Sequence, residues 1–70
     1  MKILALLLVM ASDVIAQYDG GRMRLFNNGY ELEYCTIEFY NGDSDSFYLR
    51  PQQGSRWFVD ENVDYWGCFE

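Results

Sequence analysis

The chain has 70 residues, a net charge of −6, two cysteines and no histidine, and half of its residues are apolar. Such a length holds one small domain. The lack of histidine removes the side chain most used for proton transfer near neutral pH and for metal ligation, and with it most hydrolase and zinc-site mechanisms.

Lys2 is followed by an uninterrupted apolar run from Ile3 to Ala11, which Ser12 and Asp13 end. The run falls well short of the about 20 apolar residues that cross a bilayer. A positive start, a short apolar run and a small-residue motif are the marks of a secretory leader. Val14-Ile15-Ala16 supplies that motif, so residues 1–16 read as a signal peptide and residues 17–70 as a single secreted β domain with no stable membrane anchor after processing. A cut after Ala11 is the second choice, because Val9 and Ala11 fit the same rule.

Residues 17–70 carry four arginines, Arg22, Arg24, Arg50 and Arg56, against ten carboxylates. A polyanion is held by a basic face that displaces its counterions, so this balance argues against nucleic acid and against anionic membrane surfaces.

Along this stretch, apolar and polar residues alternate in short runs, the period of strands with one face buried. Arg22 to Phe26 is the first strand, and Asn27-Asn28-Gly29 reads as a turn whose Asn-Gly pair tolerates positive φ. From Tyr30 to Tyr34 the apolar residues fall on even positions, then move to Cys35, Ile37 and Phe39. This slip predicts a β-bulge or bend near Tyr34 and Cys35. Asn41 to Ser46 is the clearest turn cluster. Phe47 to Arg50 follows as a strand that Pro51 ends by withholding an N–H. After a turn at Gln52-Gln53-Gly54, Arg56 to Val59 forms another strand; Asp60-Glu61-Asn62 turns again, and Val63 to Phe69 is the last strand. The expected fold is all-β: a small antiparallel β-sandwich or partly open barrel of about five strands.

In an exported chain, Cys35 and Cys68 are expected to form a disulfide. It would staple the second of these strands to the last and contribute roughly 3–4 kcal/mol by constraining the unfolded chain.

Three groups bear on chemistry. Asn41, Asp43 and Asp45 place oxygen side chains at alternate positions, as in the first ligands of a calcium loop, but Ser46 stands where the glycine belongs and Gln52 where the closing glutamate belongs. The motif is a weak calcium candidate beside the simpler reading of a solvated hairpin turn. Glu31, Glu33 and Glu38 could be imagined as the acid pair of a glycosidase; Glu31 and Glu33 fall more simply on the polar phase of a half-buried strand, where acids discourage edge association. The serines have no histidine to activate them. The expectation is therefore a protein that is not an enzyme and needs no cofactor.

What is left is binding. All thirteen aromatic residues lie within residues 17–70, more rings than so small a core can hold. Arg56-Trp57-Phe58, beside a Gly-containing turn, and Tyr65-Trp66, beside a cysteine, combine the residue types that dominate interface hot spots. Strand alternation requires one of Trp57 and Phe58 to face inward. The expected partner is an extracellular or host protein, as for an effector, a toxin-like factor or an enzyme inhibitor. The alternatives are a carbohydrate stacked on the rings and a protective structural role outside the cell.

Overall fold

The structure is a computed structural model that describes residues 13–70; the leader expected from the sequence therefore lies, through Ser12, outside the described residues. Six strands follow in order: β1 (Val14–Asp19), β2 (Arg22–Asn27), β3 (Glu33–Phe39), β4 (Ser44–Leu49), β5 (Phe58–Val59) and β6 (Val63–Phe69), with a 3₁₀ turn at Asp60–Asn62 before β6. They make two three-stranded antiparallel sheets, ordered β1-β2-β5 and β4-β3-β6. The sheets are not closed into a barrel and form a small sandwich. No helix among the described residues is long and apolar enough to cross a membrane.

Local chemistry explains the hairpins. β1 and β2 are joined by Gly20 and Gly21, both at positive φ (58° and 81°), and Asp19 pairs with Arg22 across them. Such two-residue loops match the twist of the flanking strands, and glycine takes that conformation without steric cost. Between β3 and β4, the Phe39 N–H donates to Asp43 O at 2.9 Å and the Gly42 N–H to Phe39 O at 3.0 Å. Gly42, at φ 93°, closes this loop. Asn41 Oδ1 accepts from the Asp43 N–H at 2.9 Å, an Asx turn that fixes the loop.

The core lies between the sheets. Val14, Met23, Leu25 and Phe58 of the first sheet meet Cys35, Ile37 and Leu49 of the second. The Phe58 ring packs against Phe39 and Phe47 of the opposing sheet, at 5.9 and 6.2 Å between centroids. Cys35 and Cys68 are direct partners on β3 and β6 and form the expected disulfide.

In the uncleaved chain, Val14-Ile15-Ala16, read as the end of the leader, forms the first half of β1, with Val14 buried and all three paired to β2. Three sequence expectations change. Asn28-Gly29 is not a hairpin turn: Gly29 does not have positive φ, and residues 28–32 cross from the first sheet to the second. The phase slip near Tyr34 is not a bulge, because the strand begins only at Glu33 and then alternates regularly; the register irregularity sits at Glu38/Phe39 against β6. Glu33, expected outward, is 1% exposed, because it shares the inward phase of Cys35 and Ile37.

Candidate binding surfaces

Three consecutive residues, Arg56, Trp57 and Phe58, leave the backbone in different directions. Phe58 enters the core. Arg56 lies over the Phe58 ring at 4.2 Å and pairs with Asp45 of β4 at 2.8 Å, beside a cleft of about 250 Å³ lined by Phe47, Leu49 and Ser55. Its side chain is mostly solvent-exposed, so the ion pair contributes little to stability. Trp57 turns to the outer face of the first sheet.

That face carries the outward phase of β2, namely Arg22, Arg24 and Phe26. The guanidinium carbons of Arg22 and Arg24 each stand 4.9 Å from the Trp57 ring centroid, and Arg24 is 5.9 Å from that of Phe26. Cation and ring thus alternate as Arg22, Trp57, Arg24, Phe26. Arg24 is held further: its Nε donates to Gln17 Oε1 at 2.8 Å, and its guanidinium lies so close to Gly54 that a Cβ there would come within 3.1 Å of it. Arg22 bonds more loosely, to Asp19 at 3.4 Å. Each cation–ring contact contributes about 0.5–1 kcal/mol at exposed sites. Together they restrict two long side chains before any partner arrives.

Tyr65 and Trp66 are likewise split by alternation. Trp66 packs against the core, whereas Tyr65 is exposed on the outer face of the second sheet. Strand register arranges that face in three rows. Phe69, Tyr34 and Tyr48 form the first, Gly67, Thr36 and Ser46 the second, and Tyr65, Glu38 and Ser44 the third. In the aromatic row, Tyr34 sits 4.9 Å from Tyr48 and 5.6 Å from Phe69. The small middle row leaves a trough of about 410 Å³ lined by Thr36, Glu38, Tyr65, Gly67, Cys68 and Phe69. The Thr36 and Ser46 hydroxyls are bonded at 3.1 Å, and the Tyr65 hydroxyl donates to Glu38 Oε2 at 3.4 Å.

The calcium candidates are otherwise engaged. Asn41 Oδ1 is spent on the Asx turn, Asn41 Nδ2 donates to Asp43 Oδ2 at 3.3 Å, and Asp45 holds Arg56. Among the described residues no group of three or more Asp, Glu, His or Cys side chains could hold a metal ion. A separate acidic group lies at one end of the sandwich. There, desolvation first and then the charges of Glu33, Glu31 and Asp13 hold the Glu70 carboxyl above its ordinary range.

Sequence reasoning passed over Arg22, Arg24, Tyr34, Tyr48 and Phe69. The two arginines were legible as the polar phase of an alternating strand; the rows on the second sheet needed the pairing register. Comparison with protein-family models, with curated proteins and with solved structures finds no match.

Proposed function

We propose that this chain is a secreted, non-catalytic binding domain that docks the arginine–aromatic face of its first sheet on an acidic surface of an extracellular or host protein. The observation that carries this reading is the pair of guanidiniums stacked on one tryptophan, Arg22 and Arg24 over Trp57. On a chain of net charge −6, they concentrate positive charge on one sheet face, which selects carboxylates on the partner. A guanidinium already restrained by rings and by Gln17 loses less entropy on binding than a free one, and Arg and Trp are the residues that most often dominate binding energy. Inhibition of an extracellular enzyme and action as an effector on a host protein are both uses such a face serves.

The test is capture of extracellular or host proteins on immobilised wild type, Trp57→Ala and Arg24→Gln, each first checked by circular dichroism for an intact fold. The reading predicts a partner with an acidic surface that wild type retains, both variants lose and added salt releases. Equal recovery of every protein by all three baits would sink it.

A further inference from the structure

We infer that the trough across the outer face of the second sheet is a second binding site, specific for a neutral oligosaccharide. It lies on the opposite side of the sandwich from Trp57 and does not depend on the reading of that face.

The trough lies along β3 and β6, and the Thr36 hydroxyl in it is bonded to Ser46 of β4 beside it. One flank is the aromatic row, in which Phe69 and Tyr48 are 57% and 65% exposed. The other holds the Tyr65 ring and the Glu38 carboxylate. Rings offer their faces to the C–H surface of a pyranose, while Glu38 accepts sugar hydroxyl protons and the Thr36 and Ser46 hydroxyls both donate and accept. No lysine or arginine stands in the three rows, so nothing there would neutralise an anionic ligand, and Glu38 repels one. An uncharged, hydroxyl-rich chain is the chemistry that fits.

Gly67 is the second observation. It lies in the interior of β6, where glycine weakens a strand, yet its φ is ordinary for any residue and a Cβ built there meets nothing within 4 Å. Neither backbone geometry nor packing therefore requires glycine. What a side chain at this position would do is fill the trough floor between Phe69 and Tyr65. Glycine inside a strand is a mark of a place where a ligand approaches the backbone closely.

Gly67→Val makes a clean test, because a β-branched residue suits the strand and its Cβ meets nothing within 4 Å. Cello-, chito-, xylo- and manno-oligosaccharides would be titrated into the full secreted protein and followed by amide chemical shifts in NMR, with heparin as an anionic control. The expected result is that at least one neutral oligosaccharide shifts Thr36, Gly67, Tyr65 and Phe69, and that heparin does not. Gly67→Val should weaken binding by about tenfold or more with an unchanged or raised melting temperature, and Glu38→Gln should weaken it less. Arg24→Gln should bind the sugar as wild type does, which separates this site from the one on the first sheet. If no neutral oligosaccharide perturbs these residues at millimolar concentration, or if Gly67→Val binds as wild type does, the inference fails. It fails equally if Gly67→Val abolishes capture of a protein that no sugar displaces.

Discussion

The buried side-chain amide of Asn27, at the end of β2, donates to the main-chain carbonyl of Leu49, at the end of β4, at 2.9 Å. This bond ties the first sheet to the second. The same Nδ2 donates to Glu31 O at 2.7 Å, and Oδ1 accepts from the Gly29 N–H at 2.9 Å. The main chain of Asn27 is paired too, its N–H with Gln53 O and its carbonyl with the Gln52 N–H. One residue thus anchors, through its side chain, the segment crossing between the sheets and, through its main chain, the turn after β4.

Replacing Asn27 with alanine or leucine leaves the carbonyls of Glu31 and Leu49 and the N–H of Gly29 without these partners inside the protein. Unsatisfied buried groups cost about 1–3 kcal/mol each, and solvent entering the opened site recovers part of that. Urea denaturation should show Asn27→Ala less stable by about 3 kcal/mol. A loss below half a kilocalorie would mean that the crossing is held by other contacts.

The Cys35–Cys68 bond joins residues 33 apart in sequence and holds β6, an edge strand of the second sheet. Its removal frees the unfolded chain by about 3–4 kcal/mol. For a core of seven apolar side chains, this is comparable with the whole net stability such a small domain commands. The double variant Cys35→Ala, Cys68→Ala should be largely unfolded at 37 °C by circular dichroism. An unchanged melting temperature would contradict the assignment.

Processing after Ala16 would remove Val14, which is 7% exposed, and half of β1, stripping β2 of its partner along Asn27 to Leu25. A protein beginning at Ser12 keeps the strand whole. Material purified from medium is expected to begin at Ser12 by intact mass, and a Gln17–Glu70 fragment should be less stable by about 2–3 kcal/mol, mainly from the lost Val14 burial and strand pairing. Recovery of a well-folded Gln17–Glu70 species from medium would reverse this.

Glu70 supplies a pH dependence. Desolvation and the nearby Glu33, Glu31 and Asp13 charges raise its carboxyl in the folded state, so the native protein binds this proton more tightly than the unfolded chain does. Stability must then fall as pH rises from the ordinary carboxylate range through the raised value, and level off above it. The group is exposed, so salt should flatten the slope. Glu70→Gln should remove this part of the slope and be the more stable protein at neutral pH. Parallel pH profiles for the two proteins would refute the assignment.

Much of the second sheet was legible from pattern alone. Cys35 and Ile37 announced an inward face, and the loop around Asn41 and Gly42 announced a hairpin, because period two and glycine's access to positive φ are local properties. β1 was hidden because its first half also satisfies the small-residue rule of a cleaved leader, and because burial along it does not alternate. Asn27 was misread because an Asn-Asn-Gly string is turn-like on its own; its role follows from Leu49 and Gln53, far along the chain.

The amino-acid order by itself determined that this chain makes strands with one buried face, that its thiols pair, and that of Trp57 and Phe58 one must point out. Which one, and what it meets there, was decided only when β2 and the segment before β5 came together, bringing Arg22 and Arg24 onto the same ring. The rows of the second sheet arose in the same way, from register. Side-chain direction along a strand is written locally, whereas neighbours across strands depend on hydrogen-bond pairing between distant segments.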